Sequence, residues 1–259
     1  MAKIQADNPL YDKGIIPAIK AIVEDAPAGI VIDVGANVGD TAALIATCGG
    51  NPIVCVEGAG EFLPFLRKNI NQLENDVKIV ERYIQIPIDN ETSLSSVSIR
   101  GTNHLSSSNN GEAVPSETFI SMDEVLAEVS DDMALFKTDT DGCDISIVEQ
   151  FLDHKASEQC PIFMEFDTSF NLSPKEQVVA FFSRLEERKY SCAVFTNRGL
   201  PLYFQERLCA DTLLDISNYC IMQKNFKLKL EYLDLFLFPV SKAILWDSIA
   251  RSYRQRKVI

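Results

Sequence analysis

Three short stretches hold residues whose types and spacing could do chemistry: "VIDVGANVGDTA" at 31–42, "VCVEG" ending in Glu57 and Gly58, and "KTDTDG" at 137–142. The first reads as a buried strand, a glycine turn and a helix start in succession. At the carboxyl end of a parallel strand, such a turn is where an open sheet holds its ligand. Gly35 lets the backbone turn sharply and Gly39 lets the helix pack close to the strand. A dinucleotide site needs a further glycine between these two, so that the pyrophosphate can touch the backbone. Asn37 stands there instead. Asp33 at the strand end and Asp40 at the helix start would repel a pyrophosphate, and they suit a cationic ligand. Glu57 follows the turn by roughly 20 residues, the spacing of an acid that takes both ribose hydroxyls. A ligand with a ribose, no phosphate and a positive charge is expected. S-adenosyl-L-methionine meets all three conditions.

On the acceptor side the candidates are carboxylates and one imidazole. Methyl transfer to an alcohol is an in-line displacement that needs alignment of the reactants and a group to take the proton. Asp139, Asp141, Asp167 in "MEFDTS" and His104 in "GTNHLSS" could serve. Asp139 is alternatively the partner of the ligand's amine, and Asp141 alternatively a cap for the following helix. Asp139, Asp141 and Asp167 together could gather Mg²⁺, although no His or Cys spacing marks a transition-metal site, and the reading carries no metal. Lys137 and Asp139 share a strand face because side chains alternate. A buried lysine needs a partner, and Glu165 of the next strand is the expected one. His154 in "FLDHKAS" follows a helix and carries no role.

Alternating elements must position these groups. Continuous apolar runs, the mark of strands buried on both faces, are "IVIDVG", "PIVCVEG", "MALFKTD", "CPIFMEF", "SCAVFT" and "YLDLFLF", with "VKIVERYIQI" a further strand. Between them lie helical periods: "GIIPAIKAIVED" within an N-terminal segment 1–28, "DTAALIATC", "EFLPFLRKNINQLEN", "CDISIVEQFLDH", "PKEQVVAFFSRLEERKY" with Ser173 as its cap, and "SKAILWDSIARSYRQR". This order predicts one α/β domain over 1–259, doubly wound through right-handed crossovers. Two stretches break the rhythm. Ser93 to Glu117, rich in Ser, Asn and Gly, reads as a hairpin plus a lid loop at 101–117. Residues 197–231 read as an irregular insertion.

Bulk composition narrows the classes further. With 259 residues, 46% of them hydrophobic, the chain can build one large core. A formal charge of −13 argues against nucleic acid as partner. The one basic cluster, Arg251, Arg254, Arg256 and Lys257, reads as a solvated helix end. Seven scattered cysteines without a C-x-x-C pair suggest reduced thiols used as small hydrophobes. No apolar run reaches the roughly 20 residues of a membrane span, and "MAKIQADNPLYDKG" lacks a signal-peptide core. A soluble, cytoplasmic protein is expected, with no membrane partner.

The blocks "VIDVGANVGDTA", "VCVEGAGEFLPFLRKNI", "LFKTDTDGCDISIVEQF", "PIFMEF" and "YLDLFLFP" together resemble the FkbM-type methyltransferases over residues 28–240. The resemblance implies a Rossmann-like class I methyltransferase fold, a mostly parallel sheet of about seven strands with the last antiparallel and helices on both faces. It implies S-adenosylmethionine as cofactor and O-methylation of a sugar, glycan or secondary metabolite, so a small-molecule or carbohydrate acceptor as partner. By that likeness Asp33, Gly35, Asn37, Gly39 and Thr41 surround the methionine part and Glu57 the ribose. Two blocks depart from the pattern. Glu57-Gly58-Ala59-Gly60 replaces a Glu-Pro-Asn type turn, and "KTDTDG" replaces Lys-Ile-Asp-Val-Glu-Gly. Two other readings remain: an NAD-type oxidoreductase, which Asn37 opposes, and a cofactor-binding module of the same fold without transfer chemistry.

Overall fold

Strand β1 (Ile30–Val34) shows why its run is apolar throughout: Ile32 and Val34 enter one core while Val31 enters another on the opposite face. In this computed structural model the described residues are 13–87, 95–99, 102–106, 112–113, 115–127, 129, 132–167, 173–225 and 232–255. For 95–99, 102–106 and 112–113 the description covers the backbone alone.

The other strands of the main sheet are β2 (Ile53–Val56), β3 (Val77–Val80), β9 (Met133–Thr138), β10 (Ile162–Phe166), β11 (Ser191–Thr196), β12 (Pro201–Gln205) and β13 (Leu233–Phe238). Their spatial order is β12-β11-β13-β10-β9-β1-β2-β3. From β3 to β10 neighbours pair in parallel, and β13 runs antiparallel between β10 and β11. Strand β12 adds an antiparallel edge beside β11. This is the Rossmann-like class I methyltransferase fold, with one strand more than the sequence predicts.

Helices cover both faces. The helices α1 (Ile16–Asp25), α2 (Asp40–Cys48), α3 (Leu63–Ile70) and α8 (Ala243–Gln255) pack on the face of Val31, Leu135, Phe163 and Phe236. The helices α4 (Met122–Ala127), α5 (Asp144–Leu152), α6 (Lys175–Glu187) and α7 (Ala210–Asn225) pack on the face of Ile32, Phe136, Met164 and Leu235. Chain order moves outward from β1 through β2 to β3 with helices on one face, and through β9 to β10 with helices on the other. Right-handed crossovers demand that switch of face. The order therefore reverses between β1 and β9, and their carboxyl ends open a crevice there.

Several expectations need correction. The strand expected over "VKIVERYIQI" is two: β3 stays in the main sheet, while β4 (Tyr83–Ile84) pairs in parallel with β8 (Phe119–Ile120). Of residues 197–231, expected to be irregular, the described ones 197–225 contain β12 and the long helix α7. That helix buries Leu213, Ser217 and Cys220, a helical spacing hidden by Ser217 in the middle of the stripe. Ser173 does not cap α6; Pro174 occupies the cap position and makes no side-chain cap bond. The hairpin expected after Ser93 is present as β5 (Ser95–Ile99) against β6 (Thr102–Ser106), with β7 (Glu112–Ala113) on the other side of β5. Of the stretch 101–117, residues 101, 107–111 and 114 lie outside the described residues, as do the first twelve residues, Arg256 and Lys257. No cysteine is paired and every one but Cys209 is buried. No helix among the described residues is long and apolar enough to cross a membrane.

Candidate active site

Where β1 ends, Gly35 takes a φ of 72°, a region L side chains rarely enter. A β-carbon there would lie 1.9 Å from the Asp139 carbonyl oxygen, so the turn is packed directly on the end of β9. The Gly35 and Ala36 amides donate to the Val56 carbonyl, and the Asp139 amide donates to Val34. The turn is thus tied to both neighbouring strands. Asn37 follows at φ 49°, a left-handed conformation that asparagine tolerates better than most residues.

Glu57 leaves β2 and turns back under that loop. Its Oε2 accepts from the Asn37 amide at 2.7 Å, and its Oε1 accepts from the Ala59 amide at 2.7 Å. Only 7% of the residue is exposed. Burial raises its pKa above the ordinary carboxylate value, and the two amides pull against that rise. An ionised carboxylate offers about four lone-pair sites. One donor on each oxygen leaves each with a second site to offer.

Glu57 lines a cleft with Val34, Gly35, Asn37, Gly58 and Tyr83 on one side and Asp139, Thr140, Asp141 and Ile147 on the other. The cleft encloses ≈ 570 Å³, part of it open to solvent. Gly58 is required by a neighbour: a β-carbon on it would lie 2.3 Å from the Tyr83 ring. The departure Glu57-Gly58-Ala59-Gly60 thus has a packing reason at Gly58. It admits an aromatic ring flat against the backbone, which is how β4 enters the cleft wall.

Beneath the turn lies a buried ion pair that differs from the one expected. Lys137 Nζ is 2.8 Å from Asp33 Oδ1 and 3.8 Å from Asp139 Oδ2. It also donates to the carbonyls of Val34 at 3.4 Å and Gly35 at 3.3 Å. Glu165 is not its partner, and register explains why. Asp33 stands directly opposite Lys137, whereas Phe163 holds that place on β10 and Glu165 lies one pleat further on. Burial alone would lower the Lys137 pKa; Asp33 and Asp139 outweigh it and hold the ammonium above its ordinary value. Burial lifts Asp33, and Lys137 opposes that lift. Burial likewise lifts Asp40, again with Lys137 opposing and Asp139 reinforcing the rise.

The segment after β9 is organised by Asp144, which sequence reasoning passed over. Its Oδ1 accepts from the Thr138 hydroxyl at 2.7 Å and the Thr140 amide at 3.1 Å, and its Oδ2 from the Gly142 amide at 3.3 Å. Burial and the charge of Asp139 push its pKa to about 6 despite those donors. A carboxylate at the first helical position, just after a Thr-Asp-Gly turn, was the available signal. Asp141 is not the helix cap: Cys143 holds the cap position, and Asp141 sits at φ 51° on the cleft wall. Further along the strand ends, Glu165 faces Asp234 across β10 and β13. Burial raises the Glu165 pKa, and the nearby charges of Asp139, Asp144, Asp234 and Asp141 raise it further.

Of the residues singled out from sequence, the cleft brings together Gly35, Asn37, Glu57, Asp139 and Asp141. Asp33 is fully buried beneath it. Gly39 packs on Leu66, and Asp40 and Thr41 begin α2 behind the turn. Asp167 is buried just beyond β10 and is not among the lining residues. His104 lies on β6 opposite Val97, and its side chain is outside the described residues. His154 lies near Asp123, 3.3 Å from Nε2 to Oδ1. Among the described residues no three His, Cys, Asp or Glu side chains are grouped as metal ligands.

No family model and no curated protein matches the chain. Among solved structures, it is similar to the O-methyltransferase from Bacillus cereus in complex with SAH, at 10% identity over 92% of this chain and 87% of that one, TM-score 0.49. It is similar to an rRNA methylase from Streptococcus thermophilus at 9% identity over 86% and 94% of the two chains, TM-score 0.46. It is also similar to a precorrin-6y C5,15-methyltransferase from Geobacter metallireducens GS-15 at 11% identity over 86% and 88%, TM-score 0.43. Likeness at this level carries nothing about activity, and the fold rests on the strand order itself. The expected FkbM-type membership is corrected: no family model supports it, and the chain carries the general class I fold. The two departing blocks are where the local chemistry differs, with Tyr83 seated on Gly58 and the Thr140–Asp141 pair folded around Asp144.

Proposed function

We propose that the chain is a methyltransferase that binds S-adenosyl-L-methionine in this cleft and methylates a hydroxyl of a small molecule or sugar. The observation that carries the reading is Glu57: a buried carboxylate with one amide on each oxygen and a second acceptor site left on each, at the edge of the cleft. Two ribose hydroxyls would use those sites. The end of β9 supports a cationic methionine part, because Asp139 lines the cleft while the one ammonium beside it, Lys137, is already shared with the buried Asp33. The same charge balance disfavours the pyrophosphate of NAD. The cofactor supplies a methyl already activated by the sulfonium. The chain's residues then have two tasks, to align the acceptor and to take its proton. Asp139 and Asp141 line the cleft, and we assign the proton to one of them.

Calorimetry with S-adenosylmethionine, S-adenosylhomocysteine and NAD tests the reading. The first two are expected to bind and NAD to bind weakly or not at all. Glu57→Ala should weaken S-adenosylhomocysteine by about 1.5–3 kcal/mol, the range for hydrogen bonds to a charged group. NAD as the tightest ligand, or unchanged affinity in Glu57→Ala, contradicts it. For the chemistry, Asp139→Asn or Asp141→Asn should slow methyl transfer about 10²–10⁴-fold, with turnover insensitive to chelators. Metal-reversible loss on chelation would assign acceptor activation to a divalent cation instead.

A further inference from the structure

Lys137 makes more contacts than charge compensation for Asp33 requires. An ammonium has three donors, and this one faces Asp33, Asp139 and the carbonyls of Val34 and Gly35. Those partners fall on two elements: the end of β1 with its turn, and the residue that leaves β9 for the cleft. Asp139 is partly exposed on the cleft wall, while Lys137 is only 2% exposed. The ammonium thus joins a fully buried carboxylate on one side to a ligand-facing carboxylate on the other. The ribose end is held independently, since Glu57 is oriented by the Asn37 and Ala59 amides.

We infer that Lys137 is a positioning residue for one half of the cleft: it fixes the Gly35 turn and the Asp139 carboxylate where the amino-acid part of the cofactor would lie, and leaves the ribose half to Glu57. The inference rests on the cofactor reading above for the name of the ligand part, and on the contacts alone for the positioning. It also gives the buried pair a purpose, since two neutral side chains could fill the same space without the cost of desolvating charges.

The experiment compares three proteins: the wild type, Asp33→Asn, and the double variant Asp33→Asn/Lys137→Met. Each is titrated with S-adenosylhomocysteine and with 5′-methylthioadenosine, which has the ribose and adenine but no amino-acid part. Asp33→Asn keeps the contacts of Lys137 to the turn and to Asp139, and its loss for S-adenosylhomocysteine should be several-fold smaller than that of the double variant. The double variant removes the buried pair without leaving Asp33 as a lone buried charge. It should lose about tenfold or more for S-adenosylhomocysteine, the scale of one charge-assisted hydrogen bond, and less than about twofold for 5′-methylthioadenosine. A role confined to neutralising Asp33 would leave the double variant binding both ligands like the wild type, and that result overturns the inference. Equal losses for the two ligands also overturn it, because they mean a general loosening. If the double variant does not fold, Asp33→Asn/Lys137→Leu is read in the same way.

A wild type that binds neither ligand removes the cofactor reading but not the positioning claim, which amide exchange then decides. Faster exchange at Gly35, Ala36 and Asn37 in the variant, with the Glu57–Ala59 segment unchanged, supports it. Unchanged exchange at the turn overturns it.

Discussion

The two walls of the cleft are built differently. On the β1–β2 wall, the ligand-facing groups come from one short stretch and the next strand end. Glu57 is held by the amides of Asn37 and Ala59, and the turn is tied to the Val56 carbonyl. On the β9 wall, Asp139 and Asp141 line the cleft, and Asp144, Glu165 and Asp234, which do not, come from α5, β10 and β13. Burial raises the proton affinity of Asp144 and Glu165, the charge of Asp139 raises both further, and Asp139 also reaches the Lys137 ammonium. The first wall uses backbone donors and is pre-formed; the second is an acidic surface whose charge depends on its occupants. On the proposed reading, the ribose end of a cofactor suits the first kind of wall, and the second meets its charged end and an acceptor whose proton must be taken.

The largest effect is expected where the walls touch. Gly35→Val would force a β-carbon against the Asp139 carbonyl and put a branched side chain at φ 72°. The strain of a left-handed residue and an overpacked contact together should cost about 3–5 kcal/mol of stability and abolish cofactor binding. Denaturant unfolding reads the first and calorimetry the second. A stable variant that still binds would mean the walls are not coupled through this turn.

The acidic wall can be tested alone through pH. Asp144 has its pKa raised to about 6 from an ordinary 3.8. A carboxyl raised on folding holds its proton more tightly in the folded state, so folding stability falls as pH rises from 4 to 6 and the loss is complete above 6. The shift corresponds to about 3 kcal/mol at most. Asp33, Asp40, Glu57 and Glu165 are raised as well and add slopes of the same sign. Asp144→Asn should flatten the fall between pH 4 and 6 without removing it. An unchanged slope would place the wild-type loss on the other carboxylates.

These walls were not equally legible in the sequence. The glycine turn and Glu57 lie within 31–57, and local spacing exposes them. The alternation of strands and helices revealed the doubly wound sheet, because strands covered on both faces are apolar throughout. The partner of Lys137 was hidden, because β9 has a neighbour on each side with a carboxylate on the matching face. Only register separates Asp33, directly opposite, from Glu165, one pleat away. The edge strand β12 begins at Pro201 directly after the turn at Gly199, and a proline so close to a glycine turn reads as loop. Tyr83 was read as part of a longer strand, and nothing local indicates that its ring crosses to Gly58.

The smallest effects sharpen that last point. Gly58→Ala places a methyl into the Tyr83 ring and should cost about 1–3 kcal/mol, with weaker cofactor binding. Gly60→Ala meets nothing within 4 Å and should stay within about 0.5 kcal/mol of the wild type. Equal costs at the two positions would mean that the turn, and not the ring, requires glycine.

The most direct measurement is a crystal structure of the protein with S-adenosylhomocysteine. The ribose should lie over the end of β2, with its two hydroxyls at about 2.5–3.0 Å from the Glu57 oxygens and the amino-acid part directed toward Gly35 and Asp139. A ligand seated elsewhere, or a ribose in the cleft that makes no contact with Glu57, would contradict the assignment.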